Sequence, residues 1–189
     1  MRFCETILSL CLLFFFMGTR QTYAQEALTA YTHIHKFSGA VSGGHYGYDP
    51  AVSVELTTPS FYRNHLRFRL RANLQWLEAY KATYQHWARY YSYSAAFVYH
   101  SRIVDRARFY VELGTFAIVP EPTFSEKRFL QGFYEFNGLE IFLVGTNHYN
   151  LAFYLGIGPM FIEAYADKLE RRPRYGNGIH YSNGVRIYF

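Results

Sequence analysis

From residue 51 onward, apolar and polar residues alternate one by one in segment after segment, as in strands whose two faces meet different surroundings. In Leu66–Trp76, Leu66, Phe68, Leu70, Ala72, Leu74 and Trp76 share one face, and Arg67, Arg69, Arg71, Asn73 and Gln75 share the other. Ala51–Phe61 sets Val52, Val54 and Leu56 against Ser53, Glu55 and Thr57. Trp87–Tyr99 sets Tyr91, Tyr93, Ala95, Phe97 and Tyr99 against Ser92, Ser94 and Ala96. Ala107–Val119 opposes Phe109, Val111 and Leu113 to Arg108, Tyr110 and Glu112. Leu151–Phe161 opposes Phe153, Leu155 and Ile157 to Ala152, Tyr154 and Gly156, and Ile179–Phe189 opposes Val185, Ile187 and Phe189 to His180, Ser182 and Arg186. In Leu139–Leu143 only Glu140 breaks the apolar face, and the upstream half slips phase, which predicts a bulge near Asn137-Gly138. The first segment, roughly Ala30–Gly43, has no clear phase. The pattern predicts eight strands.

Two architectures give such strands: a soluble sandwich with a wet outer face, or a closed membrane barrel with an apolar outer face. Here the polar faces carry Arg, Glu, Ser, Gly and Tyr, and the apolar faces are long and rich in Leu, Phe and Tyr. Segments of 10–13 residues exceed the globular norm. They match the roughly 9–11 residues that a tilted strand needs to cross a bilayer. Tyr62, Trp76, Tyr80, Trp87, Tyr90, Tyr99, Tyr149 and Tyr165 fall near segment ends, where interfacial girdles belong. The even-numbered connections, Tyr62–His65, His100–Arg106 and Gly145–Asn150, are short. The third, fifth and seventh, around Glu78–His86, Pro120–Arg128 and Ala166–Asn177, are longer, as expected for periplasmic turns and surface loops.

Composition agrees. Half the residues are apolar, 21% are aromatic and 17% are charged, the reverse of a disordered chain. Residues 1–24 read as a secretory signal: Arg2, an apolar core Ile7–Met17, and Thr22-Tyr23-Ala24 before a cut ahead of Gln25. Eleven helical residues rise only about 16 Å, half a bilayer, so a retained anchor is disfavoured. Cleavage also removes both cysteines, Cys4 and Cys11, leaving residues 25–189 as one barrel domain without disulfide or thiolate chemistry.

The C-terminal run Ser182-Asn183-Gly184-Val185-Arg186-Ile187-Tyr188-Phe189 resembles the closing signature of bacterial outer-membrane β-barrels. Ser182, Gly184, Ile187 and Phe189 occupy its marked positions. The resemblance implies a closed antiparallel eight-stranded transmembrane up-and-down barrel in a Gram-negative outer membrane. It also implies that the barrel-assembly machinery recognises this final strand.

With Phe189 on the lipid side, the alternation sends Glu55, Arg67, Arg69, Arg71, Arg108, Glu112, Glu140 and Arg186 inward. A turn centred near Arg63 brings Glu55 beside Arg71. The expected interior is an ion network of five arginines and three glutamates that fills a lumen only wide enough for side chains. The surplus of arginine leaves open an anion-binding lumen or a narrow anion pore.

His180-Tyr181-Ser182-Asn183 resembles the His-x-Ser-Asn site of outer-membrane lipid A deacylases, which implies a Ser182 nucleophile and a His180 base. That family takes its orienting Glu from a following strand, which is absent after β-segment Ile179–Phe189. The register also turns both side chains into the lumen, away from lipid. His33 and His35 have one-face metal spacing without a clear third ligand, so no metal and no cofactor is expected. The run Asp167–Arg174 carries Lys168, Arg171, Arg172 and Arg174 in the last surface loop, which reads equally as a solvated polar loop or as a contact for lipopolysaccharide phosphates, and not as a nucleic-acid site. The expected role is structural or surface-interacting within outer-membrane lipid. A deacylase-like enzyme and an anion pore remain the alternatives, and the oligomeric state stays open.

Overall fold

The computed structural model describes residues 36–189 except 82, 83, 105, 147, 170 and 177; for 79–81, 84–86 and 102 it describes the backbone. The predicted signal segment, His33, His35 and the start of the first segment lie outside the described residues. The chain forms β1 (Ser38–Tyr46), β2 (Asp49–Thr57), β3 (Leu66–Lys81), β4 (Tyr84–Val104), β5 (Ala107–Val119), β6 (Leu130–Gly145), β7 (Asn150–Ile162) and β8 (Gly178–Tyr188). Each pairs antiparallel with its sequence neighbours, and β8 returns to β1, so the sheet closes without an edge.

Partners followed round the wall run Ser38, Thr57, Arg69, Ala96, Gly114, Tyr134, Met160 and Gly178. Gly178 lies past His180, the partner of Tyr46, so one circuit climbs the whole length of β1. That stagger is what tilts the strands of a small barrel.

The alternation resolves into inside and outside. Val54, Leu56, Leu70, Phe97, Leu113, Leu155 and Ile187 project outward and exposed, while Glu55, Arg69, Arg71, Glu112, Arg186 and the small polar residues between them are buried. An apolar exterior around a charged interior inverts the soluble pattern and suits a wall surrounded by hydrocarbon. The start of β1 and the end of β8, the barrel's termini, share one end with the connections after β2, β4 and β6; the other connections sit at the opposite, loop end.

Several boundaries differ from the sequence reading. β1 lies later than Ala30–Gly43, and it meets β2 through Gly47-Tyr48, a tight turn with Gly47 at φ 66°. The third connection is not a long loop, because β3 and β4 continue to Lys81 and Tyr84 and stay paired. β2 leaves β3 at Gln75 and β5 reaches β4 only at Tyr91, so this hairpin rises beyond the closed wall. The bulge expected near Asn137-Gly138 is absent. β6 keeps one phase there, and its irregularity falls between Phe142 and Val144. Tyr134 and Phe136 point into the lumen, and it was these inward aromatics that mimicked a phase slip.

Candidate functional site

Two pairs of neighbouring strands set the centre of the interior. β2 supplies Glu55, which faces Arg71 on β3, and β5 supplies Arg108 opposite Glu140 on β6. Glu55 accepts from Arg71 Nε at 2.8 Å, from Arg186 Nη2 at 2.5 Å and from the Tyr154 hydroxyl at 2.7 Å, with Arg69 Nε at 3.6 Å. Glu112 accepts from Arg69 Nη1 at 2.5 Å, from Arg71 Nη2 at 3.2 Å and from the Tyr134 hydroxyl. Glu140 accepts from Arg108 and from the Tyr188 hydroxyl at 2.7 Å, with Arg186 Nη1 at 3.7 Å. Arg67, nearest the termini, donates to the Lys36 carbonyl at 3.1 Å and lies 5.1 Å from the Tyr188 ring centre. All eight charged residues read from the alternation are thus placed inside; seven are joined through the three carboxylates, and Arg67 adjoins them at the Tyr188 ring.

Aromatic rings fill the space between these ions. Arg69 lies over Tyr110, Arg71 over Phe136 and Arg186 over Tyr154, with cation-to-centroid distances of 5.3, 5.5 and 4.6 Å. A cation held against a ring face keeps part of the stabilisation it loses on leaving water. The rings fit because glycines face them. Tyr110 pairs across from Gly138, and a methyl group at Gly156 would meet the Phe136 ring at 2.5 Å. Sequence reading missed Tyr134 and Phe136 as lumen residues. The glycines at inward positions of the neighbouring strands were the signal that could have found them.

Above the ions, His180 is stacked between Tyr46 and Phe136, at centroid distances of 3.9 and 4.4 Å. Asn73 joins this level to its neighbours. Its Oδ1 accepts from Tyr46 at 2.7 Å and Ser53 at 2.6 Å, and its Nδ2 donates to Ser92 Oγ at 2.9 Å. His180 and Ser182 are both buried in the lumen, and neither the ring nitrogens nor Ser182 Oγ make a hydrogen bond. No nucleophile–base pair is assembled there.

The loop end is covered. Ala164, Ala166, Leu169 and Tyr175 from the β7–β8 connection pack with Phe116, Ile118, Leu130, Met160 and Ile162 in one apolar cluster. Asp49 latches this segment: its Oδ2 accepts from the Gly176 backbone N–H at 3.0 Å and the Tyr90 hydroxyl at 2.6 Å. Tyr90 was expected in an interfacial girdle but is buried, 5.0 Å from Tyr175 in an edge-to-face pair. Asp49 was also missed, although it shares the phase of Ala51, Ser53 and Glu55. Burial pushes the Tyr175 hydroxyl above its ordinary range.

The β5–β6 and β7–β8 connections are stapled together. Lys168 donates from its backbone N–H to the Phe124 carbonyl at 3.2 Å and from Nζ to the Pro122 carbonyl at 2.9 Å. The Glu126 backbone N–H donates to Asp167 Oδ1 at 3.0 Å and holds that carboxyl below the usual aspartate range. Lys168, Arg171, Arg172 and Arg174 are exposed on this cap. Arg174 lies 5.1 Å from the Tyr165 ring centre, and Arg171 and Arg172 take positive φ of 64° and 43°. Among the described residues no cluster of three or more His, Cys, Asp or Glu could hold a metal.

Gly184 and Ser182 of the C-terminal run face inward on β8, while Ile187 and Phe189 are exposed on the outer surface at the terminal end. No protein-family profile and no curated protein sequence matches the chain. Its structure is similar to that of the N-terminal β-barrel domain of Pseudomonas aeruginosa OprF, with a TM-score of 0.53 and 13% sequence identity over 82% of this chain and 98% of that one. The two share the closed antiparallel eight-stranded barrel.

Proposed function

We propose that this protein is a small, non-enzymatic outer-membrane barrel, exported by its N-terminal signal, that reinforces the envelope and meets lipopolysaccharide through its loop cap. The observation that carries this reading is the cap. Two connections are hydrogen-bonded to each other, Asp49 latches the β7–β8 one to the barrel, and Lys168, Arg171, Arg172 and Arg174 stand exposed on it. Fixed cations beside an apolar wall suit a lipid whose acyl chains lie in the membrane and whose phosphates lie at its surface. The likeness to the OprF barrel and the C-terminal Ser182, Gly184, Ile187 and Phe189 support an outer-membrane address and delivery by the assembly machinery.

The test is lipopolysaccharide binding by the refolded chain in defined bilayers, with and without replacement of all four cations by glutamine. Retention of lipopolysaccharide should fall in the fourfold variant, and added salt should weaken binding to the unaltered protein. Unchanged binding in the variant would exclude the cap as the contact. Loss of an acyl chain from lipid A, dependent on Ser182, would instead restore the enzymatic alternative.

A further inference from the structure

The half of the lumen nearest the barrel's termini holds several buried donors that make no hydrogen bond. Every carboxylate oxygen of Glu55, Glu112 and Glu140 already accepts at least one hydrogen bond. Buried beside them, Arg69 Nη2, Arg108 Nη1, Arg186 Nε and Nη1, the Tyr110 hydroxyl and both ring nitrogens of His100 make none.

These groups are neighbours. Arg108 and Arg186 share Glu140, and Arg186 and Arg69 share Glu55. The Arg69 guanidinium lies 5.3 Å from the Tyr110 ring centre, and the His100 ring lies 6.1 Å from that of Tyr110. Guanidinium groups can only donate, and Tyr110 and His100 can each donate as well. The four arginines that touch the three carboxylates, counting Arg71, exceed them by one charge. An unbalanced cation in such surroundings is costly. A water molecule brings hydrogens as well as lone pairs, whereas an anion brings only lone pairs and the missing charge.

We propose that Arg69, Arg108, Arg186, Tyr110 and His100 bind one small monovalent inorganic anion of halide type inside the lumen. The site is independent of what the loop cap recognises.

The mature chain, refolded in detergent in sodium gluconate, can be titrated with sodium bromide at constant ionic strength while its thermal unfolding is followed. The melting temperature should rise saturably with bromide, as expected for a ligand of the folded state. Crystals grown with bromide should show its anomalous signal beside Arg186 and Arg108. Tyr110→Phe keeps the ring and removes one donor, and it should weaken the bromide midpoint roughly tenfold, the size of one hydrogen bond to a charged group. No saturable halide dependence, or a lumen that holds only ordered water, would overturn the site. Should the variant fail to fold, the anomalous map of the unaltered protein decides the question.

Discussion

Glu55 is the residue on which most of the interior converges, because three arginines and the Tyr154 hydroxyl meet its carboxylate. Its removal leaves those cations buried with less counter-charge, and breaking a buried pair in this way costs about 3–5 kcal/mol. Glu55→Ala should therefore lower stability by that order in urea-driven unfolding from lipid vesicles, and a loss below about 1 kcal/mol would mean that water replaces the carboxylate. Glycines give a second residue-scale contrast. At Gly156 an added methyl meets the Phe136 ring at 2.5 Å and the Asn137 carbonyl at 3.0 Å, whereas at Gly43 the nearest atom is 3.9 Å away. Gly156→Ala should cost about 1–3 kcal/mol through overpacking, and Gly43→Ala should change stability by less than about 0.5 kcal/mol. Equal effects in the same unfolding measurement would show that the rings move freely.

At the scale of elements, the two stapled connections behave as one unit because Asp167 bridges them to the Glu126 amide. The folded state holds this carboxyl below its ordinary range, so the contribution is present at neutral pH and is lost as pH falls through the lowered value. In an NMR titration the Glu126 amide proton should shift with a midpoint below about 3.9, the ordinary aspartate value. Asp167→Asn should abolish that titration while leaving the amide bonded; a midpoint at or above the ordinary value would deny the staple. Nothing in the sequence announced this contact, since two irregular segments far apart in the chain carry no period. The strands were legible because each separates lipid-like surroundings from a charged interior at every second residue. Where that separation ends, legibility ends too. Beyond Trp76 the β3–β4 hairpin leaves the closed wall, and its strands read as a loop. Tyr134 and Phe136 failed for a different reason: an aromatic ring serves equally as lipid-facing surface and as packing for guanidinium groups, so alternation alone cannot place it.

The whole molecule is a wall around a filled centre, and the filling has two parts with different consequences for transport. Near the termini the ion network spans the lumen from Glu55 on β2 to Glu140 on β6. Nearer the loops, His180 lies between Tyr46 and Phe136, with Tyr134 6.2 Å from it. The stacked rings stand across the lumen between the ion network and the cap. In planar bilayers the unaltered protein should give no steady current. Replacing Tyr46 and Phe136 together by alanine, with Gly176 and its neighbours deleted to open the cap, should produce one. That current should favour anions, because the arginines outnumber the glutamates along the remaining path. Steady conductance in the unaltered protein would show that the rings do not obstruct the lumen. Cation selectivity in the opened variant would show that the arginine charge is already neutralised where ions pass.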